Sequence, residues 1–294
     1  MAELESGAES KDNDQKLIRS QADLARNLGG QECNPQPGPK QLPVMEAGQM
    51  DIGCTYKDLS EAGAQSENNL DLLSLYNQAR PSTVHFQLKR DGTVLGGGTG
   101  AMVKAEENTC KILTDNHVVS EHTKQTYKLD EIKVVTHDGT IYDAKVYKAD
   151  PGKDLAVVEI ATGGTTAQIC KPIEFVDTPV TFKDRERAVT IGQPYGTGAF
   201  YTSEGTFNSQ ISRQDAVTKL RADKLPPNDN PDRRLDMFDM RGIRGYSGAP
   251  AYQLPLSKAE GEKPKAFGVV DMADDMARTL FTPVTAQDVK KLTD

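Results

Sequence analysis

The segment Gly242-Ile243-Arg244-Gly245-Tyr246-Ser247-Gly248-Ala249-Pro250 holds one serine between two glycines. That setting suits a nucleophile. A serine hydroxyl attacks a carbonyl when it is exposed on a tight turn, a base takes its proton, and backbone N–H groups face the developing oxyanion. Glycines on either side allow such a turn. The same pattern occurs in ordinary β-turns, so its meaning depends on whether the chain supplies a base and an acid to orient it.

Only four histidines are available as the base. His85 lies inside an alternating run, His122 in the polar stretch Ser-Glu-His-Thr-Lys, and His137 in the turn His-Asp-Gly, and each has a structural explanation. His117 differs. In Lys-Ile-Leu-Thr-Asp-Asn-His-Val-Val it follows an apolar strand and precedes two more apolar residues, at the end of a rigid element. A catalytic imidazole is held in one tautomer by a buried carboxylate on its other ring nitrogen. Asp154 fits that role, at the start of the apolar strand Leu-Ala-Val-Val-Glu-Ile after the turn Pro-Gly-Lys. A carboxylate there, without a partner, loses several kcal/mol of hydration. Asp150, just before Pro-Gly, is the better turn-capping residue.

The order His117, Asp154, Ser247 discriminates between folds. An α/β-hydrolase presents serine, acid, then histidine, with the serine in Gly-x-Ser-x-Gly; here position 249 is Ala and the order is reversed. From Ser82 onward the chain alternates in short apolar runs separated by turn residues, at 84–88, 101–104, 111–114, 132–136, 141–147 and 155–160. A second set follows at 188–191, 200–207, 235–239, 249–253, 266–272 and 279–281. These predict strands and hairpins, hence an all-β fold with two cores and a break near 162–172. Residues 209–234, charged and carrying Pro226, Pro227 and Pro231, read as a long insertion.

With these motifs in order, the stretch from about residue 80 to 285 resembles the chymotrypsin-fold serine peptidases, most of all their bacterial HtrA/Deg-type branch. The matching segments are Arg-Pro-Ser-Thr-Val, Gly-Gly-Gly-Thr-Gly-Ala-Met-Val, Ile-Leu-Thr-Asp-Asn-His-Val-Val, Asp-Pro-Gly-Lys-Asp-Leu-Ala-Val-Val, Ile-Gly-Gln-Pro-Tyr-Gly, Arg-Gly-Tyr-Ser-Gly-Ala-Pro and Phe-Gly-Val-Val. The resemblance implies two six-stranded barrels, at about 81–165 and 170–285. It places His117 and Asp154 on the first barrel, Ser247 on the second, and an oxyanion hole at the N–H groups of Gly245 and Ser247. The expected activity is that of a serine endopeptidase on protein or peptide substrates. A catalytically silent barrel serving as a binding or regulatory module is the alternative.

Four points depart from the family or stay open within it. Tyr246 stands where trypsin-like members carry an Asp that receives the ammonium of a new N-terminus, and a phenol cannot form that pair. Ala249 replaces the usual Gly. The residues after 285 are too few for a PDZ module, so the expectation is a peptidase domain without one, ending in a tail at 286–294. The resemblance puts the substrate pocket between the segment before the serine and the strand around Val270. Arg241 and Asp271 are its candidate lining residues, or partners of each other. A His117 of ordinary pKa predicts activity rising through roughly pH 6.5 to 7.

Bulk properties exclude several classes. A formal net charge of -8, with no clustered basic stripe and no Trp, argues against nucleic-acid binding. No apolar run approaches the roughly 18 residues of a membrane span. The N-terminus, Met-Ala-Glu-Leu-Glu, is acidic where an export signal is basic then apolar. The chain therefore reads as cytoplasmic, or as periplasmic or secreted with its signal removed. Cys33, Cys54, Cys110 and Cys170 form no Cys-x-x-Cys pair, so neither metal nor other cofactor is expected. Cys33 with Cys54 closes a loop in an oxidising compartment, and reduced thiols fit a reducing one. Residues 1–80 carry 13 acidic and 7 basic side chains, -6 of the total charge. They read as an extension with an amphipathic helix around 17–28, a Pro-rich linker and a short helix through Leu70 to Leu75, either regulating the domain or docking on it.

Overall fold

The computed structural model describes residues 67–120, 131–193, 200–219, 228–240, 242, 244–254, 263–273 and 278–294. Its first barrel is built from β1 (Thr83–Arg90), β2 (Thr93–Ala105), β3 (Thr109–Asp115), β4 (Glu131–Val135), β5 (Ile141–Asp150) and β6 (Leu155–Ala161). They close in the order β1-β2-β3-β6-β5-β4, all antiparallel, with β4 back on β1. Register shifts at Leu88/Lys89, Met102/Lys104 and Val146/Lys148 bend the long strands enough for closure. Val84, Phe86, Met102, Ile112, Val134, Val158 and Ile160 fill the interior.

After β7 (Glu174–Phe175) the second barrel uses β8 (Arg187–Gly192), β9 (Tyr201–Ser212), β10 (Arg234–Asp239), β11 (Pro250–Leu254), β12 (Lys265–Ala273) and β13 (Arg278–Pro283). Its order is β11-β8-β9-β10-β13-β12, and pairing of β11 with β12 closes the ring, leaving β7 as a parallel attachment on β12. The two-barrel expectation thus holds, and the two-residue β7 is the strand that the sequence pattern did not predict. Phenylalanines dominate this core: Phe182 meets Phe267 at 4.7 Å between ring centroids, and Phe238 meets Phe281 at 5.3 Å.

A third cluster joins the barrels. Leu113, Leu155 and Val157 from the first barrel pack with Val189, Ile191, Tyr252 and Val269 from the second. Two helices seal it: α1 (Glu67–Ala79) contributes Leu75 and Ala79, and a C-terminal helix, Ala286–Thr293, contributes Leu292. The segment expected as a tail is therefore a docked helix. Thr285 and Asp288 form a reciprocal capping box at its start. At its end Lys111 Nζ donates to the Thr293 carbonyl at 2.6 Å and Lys148 Nζ to that of Lys291 at 2.6 Å, placing cations where the helix dipole is negative.

Two further expectations change. The presumed insertion is partly regular, because β9 runs to Ser212 and a helix follows at Arg213–Lys219. Cys110, in β3, is disulfide-bonded to Cys170, 60 residues on, a pairing the sequence reading did not consider. Cys33 and Cys54, the helix around 17–28 and the Pro-rich linker lie outside the described residues. No helix among the described residues is long and apolar enough to cross a membrane.

Phe238, with ring contacts to Phe182, Phe207, Phe267 and Phe281, is central to the second core. Phe238→Ala is expected to cost about 3–5 kcal/mol, seen as a lower urea midpoint at unchanged slope. A loss under about 1 kcal/mol would contradict that role.

Candidate active site

Strand β3 ends at Asp115, and the single helical turn Asn116–Val119 that follows carries His117. Val118 and Val119 are buried in the first core and hold that turn in place. Asp154, at the start of β6, grips it from the other side. Its backbone carbonyl accepts the Asn116 N–H at 2.9 Å, its Oδ1 accepts the His117 N–H at 2.8 Å, and its Oδ2 lies 2.7 Å from His117 Nδ1. The turn that aims this carboxylate needs a left-handed residue, and Asp154 adopts φ 55°, a conformation Asp accepts more readily than most. With the carboxylate on Nδ1–H, Nε2 becomes the acceptor nitrogen of the neutral ring. The other two described histidines stand elsewhere. His85 is buried in β1 with Nδ1 3.1 Å from the Gly98 carbonyl, and burial pushes it down to about 4. His137 lies in the turn after β4.

The half-buried Ser247 sits between β10 and β11 in a loop whose glycines, Gly245 at φ 100° and Gly248 at φ 83°, take left-handed conformations. The loop is fastened to both barrels. Gly248 N–H donates to the Val270 carbonyl at 2.8 Å and Ala249 N–H to that of Tyr246 at 2.7 Å. From β2, Thr99 N–H donates to the Ser247 carbonyl at 2.8 Å and Thr99 Oγ1 to that of Gly245 at 2.6 Å. Gly98 lies where a Cβ would come within 2.8 Å of Val118 and 3.0 Å of the Ser247 carbonyl oxygen, so the histidine turn and the serine loop close over the same strand.

A family model of the trypsin-like peptidase domain matches residues 98–254, a span that contains His117, Asp154 and Ser247. The chain belongs to that family. Over 181 residues it is 29% identical to a probable periplasmic serine endoprotease, DegP-like, of Bartonella henselae, covering 61% of this chain and 30% of that protein. Over 106 residues it is 32% identical to the serine protease Do-like HtrA of Bacillus subtilis, covering 36% and 21%. The chain thus spans less than a third of the length of these curated relatives. In fold it is similar to the active form of the Rv3671c protease of M. tuberculosis, at TM-score 0.54 and 21% identity over 76% of this chain and 84% of that one.

In this trypsin-like domain Tyr246 takes over a task of packing. Its ring is buried in the second core against Gly192, where a Cβ would come within 2.5 Å of it. Burial pushes its hydroxyl up, so it stays protonated and donates to the Tyr201 carbonyl at 3.1 Å. The residue before the serine is thereby anchored without an incoming ammonium.

Of the pocket residues read from the sequence, Val270 and Asp271 both lie on β12. Val270 is buried in the second core, and its backbone holds the serine loop. Asp271 is buried beneath the site, where Arg233 and Thr282 both donate to its Oδ2. It therefore belongs to an interior ion pair, and Arg241 lies outside the described residues. Arg233 also reaches Asp229 at 3.0 Å and Asp154 Oδ2 at 3.8 Å, and Arg213 pairs with Asp229 at 2.9 Å. Burial opposes ionisation of Asp271, yet Arg233 and Arg213 hold it below the usual carboxylate range.

Arg213, Asp229, Arg233 and Asp115 escaped the sequence reading. A signal existed for the acids: Asp115 after Ile112-Leu113-Thr114 and Asp271 after Val269-Val270 are charges in apolar runs, which require a buried partner. The partner of Asp271 is 38 residues away, in a stretch that reads as solvated.

Arg233→Leu leaves buried carboxylates uncompensated and is expected to cost about 3–5 kcal/mol, with Asp271→Asn in the same chain restoring part of it. Urea unfolding of the two variants checks this; equal stability of Arg233→Leu and wild type contradicts it.

Proposed function

We propose that the chain is a serine endopeptidase working by acyl transfer on Ser247. The His117–Asp154 pair, held by three hydrogen bonds beside a glycine-flanked serine loop, is the observation that carries this reading. His117 Nε2 takes the Ser247 proton as Oγ bonds to the substrate carbonyl carbon, and Asp154 steadies the imidazolium. The N–H groups of Gly245 and Ser247 receive the oxyanion. Among the described residues neither donates to another protein group, which supports that role. The imidazolium then protonates the leaving amine as the C–N bond breaks, and water, deprotonated by His117, hydrolyses the ester. The relatives named serine endoproteases support protein or peptide substrates.

A fluorophosphonate probe is expected to label wild type, while Ser247→Ala does not label and His117→Ala labels far more slowly. Asp154→Asn should lower kcat by roughly 10⁴ on an unfolded protein substrate. Equal labelling of Ser247→Ala and wild type overturns the assignment. The departure at Tyr246 favours the silent-barrel reading, and absence of labelling in wild type at every pH would establish it.

The pH dependence differs from that of an ordinary histidine. Burial disfavours the His117 imidazolium, but the charge and hydrogen bond of Asp154, with the charges of Asp115 and Asp271, push the ring up to about 10. Only the neutral ring accepts the serine proton, so labelling should rise as pH increases toward about 10. A midpoint near pH 6.5, measured as labelling rate against pH, would refute this.

A further inference from the structure

Asp115 has no part in the mechanism above, yet it adjoins the base. Its carboxyl is fully buried at the end of β3, and among the described residues neither oxygen has a hydrogen-bond partner. Its Oδ2 lies 3.9 Å from His117 Nε2, on the side of the ring opposite Asp154. That is the nitrogen which has to accept the Ser247 proton. At 3.9 Å the two groups attract as charges without sharing a hydrogen bond.

The surrounding charges sharpen the point. Facing Asp115 are His117 from the turn after β3, Asp154 from the start of β6, Asp271 from β12 and Arg233 from the segment before β10. Asp229 and Arg213 complete the ionic cluster behind Arg233. Three carboxylates against two guanidinium groups leave this interior one negative charge in excess before Asp115 is counted. A proton on His117 balances that excess; burial pushes the Asp115 carboxyl well above the usual carboxylate range, the His117 charge draws it back toward ionisation, and once ionised it favours the same proton again.

We propose that Asp115 is a positioning residue for the base, holding the His117 imidazolium in the resting site from the Nε2 side and so opposing its release to Ser247. This rests on the peptidase reading for its consequence, while the contact itself belongs to the site whatever it catalyses. In the resting arrangement the imidazole ring lies between two carboxyl groups, Asp154 at Nδ1 and Asp115 facing Nε2. Loss of the proton to solvent leaves Nε2 with its lone pair, able to accept from the serine hydroxyl. Wherever Asp115 is ionised it therefore restrains the site, and loss of the His117 proton in alkaline solution, or a bound substrate that changes the balance at Nε2, releases it.

The experiment is Asp115→Asn, which keeps the shape and removes the charge. In the full chain, the midpoint of fluorophosphonate labelling rate against pH is expected to fall by about one unit or more, whatever the height of its plateau. One unit below the wild-type midpoint, this appears as a several-fold gain relative to each plateau. An unmoved midpoint in folded Asp115→Asn overturns the proposal, since a merely structural residue changes the plateau and not the pH. A second measurement needs no Asp115 variant and no activity. In the Ser247→Ala chain, NMR of the Asp115 carboxyl carbon and the His117 ring nitrogens should show the two groups titrating together. Independent titration, with Asp115 ionising in the ordinary carboxylate range, overturns the proposal. If wild type never labels but the two groups titrate together, the peptidase reading fails and the Asp115 contact stands.

Discussion

One carboxylate sets the geometry of the site. Asp154 uses its carbonyl and both carboxylate oxygens on the Asn116–His117 segment, so a single residue fixes the backbone and the ring it orients. Burying that charge is tolerable only because the N–H groups solvate it and a guanidinium lies near. The cation is Arg233, which comes from the second barrel while Asp154 comes from the first. Charge neutrality thus ties the two barrels together where the candidate site lies. Arg233 in turn requires Asp229 and Asp271, and the polar interior grows outward from this one need.

Apolar packing makes the same connection over a larger area. The cluster spanning Leu113, Leu155, Val189, Ile191 and Val269 sets the barrels face to face, and the helices at either end of the described chain cover it. Thr99 adds direction, because its two bonds to Gly245 and Ser247 carry the position of β2 into the serine loop. A site divided between two barrels needs both kinds of contact. Nondirectional burial brings the halves together, and hydrogen bonds at Thr99 fix their offset.

The barrels were legible in the sequence because each strand announces itself locally, through alternation that a glycine or proline ends. So was the candidate site, whose three chemical groups occur in telling order and whose histidines are few. Other features rest on partners far apart in sequence. Nothing near Cys110 points to Cys170, and nothing near Asp271 points to Arg233. The helix 286–293 was missed because its apolar face is narrow and finds its stability in Thr285 and the lysines of the first barrel. The stretch around 213–233 looked solvated because its charges are many, and only the fold turns several of them inward.

The contact between Tyr246 and Gly192 bears on how such a chain changes over generations. An aspartate at 246 would enter an apolar cluster and would leave space beside the glycine. A side chain at 192 would in turn collide with the tyrosine. Neither position can move alone without loss, so the two form a ratchet. A change at either position is tolerated only when the other changes with it.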